Sequence, residues 1–262
     1  MTVKASIHKW LHGNTFACYL VRQLGLRGAL AYLISGYCES AGCWPSLYRL
    51  YSRNSLFPLW CRKGTTDRAA FSQVFIEDQY GCVDPRQQPR SVVDCGANAG
   101  YASAYFLSRF PGSRLVAVEP DESNYALLEK NLRPYADCVT LLRAAVWSRP
   151  ANLMMFGENG AWLRRARECV QGETPDVAGV EMESLVSKSG SEGVDVLKID
   201  VEGAETDIFR ADCGGWLPEV SMIAIELHDE ESKEVFERTV VPFGFSISWG
   251  GETTIAVRDD RR

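Results

Sequence analysis

Residues 92–100 read Val92-Val93-Asp94-Cys95-Gly96-Ala97-Asn98-Ala99-Gly100, two apolar residues and an acid followed by glycines four apart. Glycines at such a junction let the main chain pass close to a ligand, and a helix starting behind them offers N–H groups without partners. Nineteen residues after Gly100, Glu119 ends another apolar run and is followed by Pro120 and Asp121. An acid there is placed to accept hydrogen bonds from both hydroxyls of an adenosine ribose. Two later apolar runs end in Asp200 and Glu202 and in Glu226, His228 and Asp229. Carboxylates with an imidazole suit two tasks: taking a proton from a hydroxyl, or holding a hard divalent cation such as Mg²⁺ or Mn²⁺.

The elements that must position these residues follow from the hydrophobic period. Apolar runs predict strands at 91–94, 114–119, 139–144, 194–199, 222–227, 245–248 and 254–257. Amphipathic stretches predict helices at 100–109, 122–132, 204–210 and 231–240. Strands separated by helices imply parallel crossovers, so the expected fold is a doubly wound α/β layer structure with a mostly parallel seven-stranded sheet. A terminal hairpin around Gly250-Gly251 adds an antiparallel edge. Asp200, Glu226 and His228 then stand at carboxyl ends of strands, where ligands bind in open α/β sheets. Residues 1–63 are expected as an N-terminal helical extension, with helices at 15–33 and 46–51 and a strand within 56–62, and residues 64–262 as the main domain. Residues 154–183, with Gly157, Gly160, Gly172, Pro175 and Gly179, fit no regular element. They are expected to be either a substrate loop or an ordinary surface excursion, and Trp147, Trp162 and Trp249 either line an acceptor pocket or pack.

Composition narrows the classes. The chain has 262 residues, 46% hydrophobic and 24% charged, close to globular averages, which excludes global disorder, collagen and coiled coil. Residues 1–63 hold eight Lys or Arg and one acid, whereas residues 64–262 hold twenty and thirty-three. An acidic main domain argues against nucleic-acid binding, while the basic N-terminal part leaves room for an anionic partner. No run is long and apolar enough for a membrane span, and residues 1–13 do not read as a signal peptide. Nine cysteines without a Cys-x-x-Cys pair predict neither a disulfide framework nor a zinc site, and point to a reducing, cytoplasmic setting. The apolar N-terminal helix is a candidate lid or homo-oligomer contact.

Two nucleotide readings compete at the glycine loop. A dinucleotide fingerprint needs a central glycine to clear a pyrophosphate, and Ala97 and Asn98 occupy that space, which weakens an NAD-linked oxidoreductase. S-adenosylmethionine carries no phosphate and two cationic groups, so an acid such as Asp94 beside it is favourable. The run 93–100, Val118-Glu119-Pro120, Asn131, Ala144-Ala145-Val146 and above all Leu197-Lys198-Ile199-Asp200-Val201-Glu202-Gly203-Ala204-Glu205 resemble the FkbM-type class I methyltransferases. Gly64-Thr65-Thr66-Asp67 with Phe75 and Tyr80 resembles that family's lead-in, and Cys95 replaces a usual aliphatic residue.

The resemblance implies a Rossmann-like methyltransferase fold acting with S-adenosylmethionine on hydroxyls of sugars, glycans or secondary metabolites. It also implies that Asp94, Gly96, Asn98 and Gly100 line the methionine half, Glu119 and Pro120 the ribose, and Ala145 and Val146 the adenine, with Thr65 and Tyr80 closing over the cofactor. Asp200, Glu226 and His228 are the candidates for the acceptor proton. The same carboxylates with His228 or Asp229 are candidate ligands for a divalent cation. For Glu205 and Asp207 the expected role is to complement a helix N-terminus. A binding module that has lost its chemistry is the alternative from a different class, and retention of Asp94, Gly96, Gly100 and Glu119 counts against it.

Overall fold

Residues 47–50, expected within a short helix, form strand β1 (Leu47–Leu50) and pair antiparallel with β2 (Leu59–Arg62). The local period is two: Tyr48 and Leu50 are buried while Arg49 faces solvent, and the Arg49 guanidinium lies 4.3 Å over the ring of its cross-strand partner Trp60. Helix α1 (Thr15–Ser40) runs past the expected end at 33 and is interrupted at Gly25, whose φ of 76° no helix accommodates. Helix α2 (Asp67–Phe75) packs near its start on β2 through buried Asp67, which takes a two-pronged bond from the Arg62 guanidinium at 2.9 and 2.7 Å. The computed structural model describes residues 15–84, 88–157, 165–190, 193–250 and 252–259. The chain divides into two compact units, Met1–Gln79 and Tyr80–Arg262. The sequence boundary at 63/64 marks where the family resemblance begins; the contact division lies farther along because α2 packs on β2.

The strands of the second unit are β3 (Ser91–Cys95), β4 (Arg114–Val118), β5 (Val139–Leu142), β6 (Ala145–Val146), β7 (Asn152–Phe156), β8 (Arg165–Glu168), β9 (Val177–Val180), β10 (Val194–Ile199), β11 (Val220–Glu226), β12 (Phe245–Ser248) and β13 (Thr253–Arg258). Its helices are α3 (Tyr101–Arg109), α4 (Glu122–Leu132), α5 (Met182–Ser189), α6 (Glu205–Arg210) and α7 (Glu230–Val240). Seven strands form one sheet in the order β12-β13-β11-β10-β3-β4-β5, parallel except where β13 pairs with its two neighbours. The doubly wound fold is therefore as expected. The terminal hairpin supplies the antiparallel edge as expected, with β13 beside β11 and β12 outermost. Val93, Leu197, Ile199, Ile223 and Ile225 of the central strands meet Phe209, Trp216 and Phe236 in the main core.

Strand order turns around at β3, since β4 lies on one side of it and β10 on the other. The crevice at the carboxyl end of β3 is thus the topological switch point, and residues 94–100 lie there.

The described part of the segment 154–183 is not irregular. It supplies β7, β8 and β9, which with β6 make a four-stranded sheet, and it leads into α5, which the period reading missed. Leu153 and Val177 bury against Ala145 to form its small core; Gly157, Gly172 and Pro175 lie between the strands and interrupt the alternation. Trp162 falls outside the described residues. Trp147 donates its indole N–H to Glu168 at 3.2 Å, and Trp249 is exposed at the end of the β12 hairpin arm.

Candidate active site

The loop after β3 is shaped by its neighbours. Gly96 has φ 79°, and a Cβ there would sit 1.8 Å from the carbonyl oxygen of Asp200, so no other residue fits against the end of β10. The N–H groups of Gly96 and Ala97 both donate to Val118 O, at 3.0 and 2.9 Å, which ties the loop to β4. Asn98 adopts φ 48°, a left-handed conformation that asparagine tolerates better than most side chains. Asn131 closes the far side by donating Nδ2 to Ala99 O at 2.8 Å.

Glu119, just past β4, is buried beside this loop. Its Oε2 accepts the Asn98 N–H at 2.8 Å, and its Oε1 accepts the Asp121 N–H at 3.0 Å. Burial outweighs these bonds and pushes its pKa up to about 7. Asn124 Nδ2 also donates to Oε1, at 3.4 Å, so among the described residues Oε2 is the oxygen that keeps a second lone pair, an acceptor that a ribose hydroxyl can use. Pro120 is half-buried beside it. Asp121 caps α4, accepting the Asn124 N–H at 2.9 Å.

Asp94 is fully buried beneath the loop. Ser103 Oγ donates to it at 2.6 Å, and Lys198 Nζ lies 3.1 Å from its Oδ1. Lys198 also donates to Gly96 O at 2.7 Å and stands 3.6 Å from Asp200 Oδ2. Burial disfavours its charge, yet Asp94 and Asp200 prevail and hold its pKa above the usual lysine value. Lys198 had been given no role; the signal was present in the sequence, since a lone lysine inside a strand buried on both faces must be paired. Tyr80, buried against Tyr105 and Phe106, sits within the electrostatic reach of Lys198, Asp200, Asp94 and Glu226. Burial raises its pKa.

Asp200, Glu226 and His228 come together at the ends of β10 and β11. One potential ligand atom from each lies within 4.8 Å of the others. The His228 ring is held from behind: Nδ1 pairs with Glu205 Oε1 at 2.7 Å, while Nε2 faces Glu202 at 3.5 Å and Glu226 at 3.8 Å. Glu205, 2% exposed, thus does more than complement a helix dipole, which is what its position at the start of α6 had suggested. Its bond, with the surrounding acids, raises the His228 pKa to about 9 against the cost of burial. Burial and the neighbouring Asp200 raise the Glu226 pKa to about 7. Asp229 is not part of this cluster; it is the N-cap of α7, in a reciprocal capping box with Ser232 that engages its Oδ1.

The remaining expected residues lie elsewhere than this cluster. Ala145 and Val146 are both buried, the first in the core of the small sheet and the second in the main core. Thr65 belongs to the first unit, where its hydroxyl donates to Arg62 O at 3.1 Å and accepts the Asp67 N–H at 3.2 Å. The nine cysteines are free thiols, and Cys95 packs its sulfur 4.0 Å from that of Met182.

Comparison with known proteins adds the family. A methyltransferase FkbM domain model matches residues 94–245. AMB antimetabolite synthetase AmbE of Pseudomonas aeruginosa is 26% identical over 202 residues, 61% of this chain and 9% of that protein. Methyltransferase 1 of Beauveria bassiana is 23% identical over 67% of this chain and 80% of its own length, and 2-O-methyltransferase NoeI of Sinorhizobium fredii is 26% identical over 55% and 65%. The crystal structure of methyltransferase FkbM from Methylobacillus flagellatus superimposes with a TM-score of 0.45 at 16% identity, covering 65% of this chain and 44% of that one. With more than half of its length matched by that model, and the glycine loop, Glu119 and the Asp200 run within the match, the chain belongs to the FkbM methyltransferase family.

Proposed function

We propose that the protein is an S-adenosylmethionine-dependent O-methyltransferase acting on a hydroxyl of a sugar, glycan or secondary metabolite. The observation that carries the reading is the meeting of Asp200, Glu226 and His228 at the ends of β10 and β11, of which β10 borders β3 and its Gly96 loop. Glu119 and the Asn98 loop would hold the ribose and methionine portions of the cofactor, and the buried Oε2 of Glu119 fits a ribose hydroxyl. When bound, the cofactor supplies an electrophilic methyl group on a cationic sulfur. The similarity to NoeI, a 2-O-methyltransferase, supports an oxygen acceptor.

An alcohol is a poor nucleophile while it keeps its proton, so the site must remove it. With a pKa of about 7, the Glu226 carboxylate is half ionised near neutrality and suited to accept it. His228, protonated below about pH 9, is the hydrogen-bond donor and counter-charge that keeps Asp200, Glu202 and Glu226 close together. Lys198 keeps Asp94 neutralised and holds the loop.

The test is a comparison of S-adenosylmethionine and NAD in thermal unfolding, followed by release of S-adenosylhomocysteine over a panel of hydroxylated sugars. Stabilisation by S-adenosylmethionine with sugar-dependent turnover is expected; stabilisation by NAD alone refutes the reading. A second reading of the cluster, a Mg²⁺ or Mn²⁺ site activating the acceptor hydroxyl, is favoured by the 4.8 Å spacing and by the engagement of His228 Nδ1, which leaves Nε2 for a metal. Chelation separates the two, since turnover that survives it belongs to the Glu226 route.

A further inference from the structure

Helix α1 is apolar on both of its faces. Ala17, Leu20, Leu24 and Ala29 are buried in the first unit, and Gly28 lies against the Tyr51 carbonyl oxygen, where a Cβ would come within 2.4 Å. That is the ordinary inward stripe. On the outside, however, Leu26 (47%), Leu30 (46%), Ile34 (50%) and Tyr37 (76%) are exposed to solvent. At about 100° per residue these four fall within roughly 80° of arc on the helical segment that follows the break at Gly25, so they form one stripe and not a scatter. A surface helix of a monomeric domain carries charged and polar residues there; a contiguous apolar stripe marks a surface that is covered in use.

Charge identifies what covers it. Residues 1–63 hold eight basic side chains and one acid. Arg22 and Arg27 lie on α1 itself and are exposed, and the Arg53 guanidinium lies close beside Gly25. A second copy docked through this face would bring two such basic surfaces together. A layer of anionic lipid headgroups would instead neutralise the arginines while its acyl boundary took up Leu26, Leu30 and Ile34, and exposed tyrosines such as Tyr37 favour that interface. Among the described residues no helix is long and apolar enough to cross a membrane, so the geometry is that of a helix lying in the surface plane.

We propose that α1 docks the protein onto an anionic lipid surface, with Leu26, Leu30, Ile34 and Tyr37 entering the interface and Arg22 and Arg27 meeting the headgroups. The inference is independent of the proposed methyl transfer.

Co-sedimentation of the full chain with phosphatidylcholine vesicles, with and without phosphatidylserine, tests it. Binding is expected only when phosphatidylserine is present, weakening as salt is raised. The double variant Leu30→Ser/Ile34→Ser should lose sedimentation while keeping the parent's far-ultraviolet circular dichroism and unfolding temperature, because both side chains already face solvent. Arg22→Glu should weaken binding several-fold. The proposal is overturned by failure of the parent chain to bind, by equal binding to neutral vesicles, or by undiminished binding of the folded double variant. It is also overturned if light scattering shows concentration-dependent association that the double variant abolishes, with no vesicle binding, since the stripe then belongs to a second copy.

Discussion

Lys198 Nζ stands 3.1 Å from Asp94 Oδ1 and donates to the carbonyl of Gly96, so a single ammonium links β10, the end of β3 and the cofactor loop. Both side chains are buried, and removing one partner of such a pair leaves an uncompensated charge. Lys198→Met should therefore cost about 3–5 kcal/mol of unfolding free energy. In denaturant melts, Lys198→Met combined with Asp94→Asn should recover part of that loss. Additive losses in the double variant would show that the pair is not coupled.

The two glycines of the loop make different demands. At Gly96 an added Cβ meets the Asp200 carbonyl oxygen at 1.8 Å, which is main chain at the end of a central strand and has nowhere to move. At Gly100, with φ 84°, the nearest atom is a side-chain carbon, Leu128 Cδ1 at 2.7 Å. Gly96→Ala is expected to lose more than about 3 kcal/mol or to fail to fold, and Gly100→Ala to lose about 1–3 kcal/mol, mainly from its left-handed backbone and the Leu128 contact. Thermal melts of the two variants rank them, and an inverted order would contradict the packing.

What the sequence made legible divides along physical lines. Strands such as 194–199 were readable because a strand buried on both faces is a mostly apolar run, here broken only by Asp195 and Lys198, and Asp94, Glu119, Asp200, Glu226 and His228 were readable because they sit at or near the ends of those runs. The small sheet was hidden because β7, β8 and β9 are short, half-exposed and separated by glycine and proline. Helix α5, which follows directly on that stretch, is only eight residues long and was hidden with it. Glu205 looked like a helix-end acid because nothing in one dimension brings it to His228, 23 residues away. Asp229 looked like a ligand until its capping bond to Ser232 could be seen.

With Glu119 as the proposed ribose acceptor, cofactor affinity is expected to depend on pH. Its folded pKa of about 7 lies above the ordinary 4.5, so the folded protein retains a proton that the unfolded chain releases, and stability falls as pH rises from about 4.5 to about 7. The ribose hydroxyls donate to the ionised form, so S-adenosylmethionine binding should strengthen as pH rises through about 7 and level off above it. Glu119→Ala should weaken binding by about ten- to a hundredfold, the worth of hydrogen bonds to a charged acceptor, and remove the pH dependence. Titration calorimetry at several pH values checks both effects; a parent affinity flat from pH 5 to pH 8 would count against ribose binding by Glu119.

The proposed proton removal by Glu226 beside a protonated His228 predicts the shape of the rate profile in buffer freed of divalent cations. Turnover should rise through about pH 7 as Glu226 ionises and fall through about pH 9 as His228 loses the proton that holds the acids together. Glu205→Gln keeps the shape but removes the charge paired with Nδ1, so the His228 pKa drops and the alkaline limb moves toward neutrality, while cofactor affinity is unchanged. Glu226→Gln abolishes turnover without weakening cofactor binding. A profile that keeps climbing to pH 9 would instead make neutral His228 the proton acceptor, because only then does loss of the imidazolium proton speed the reaction.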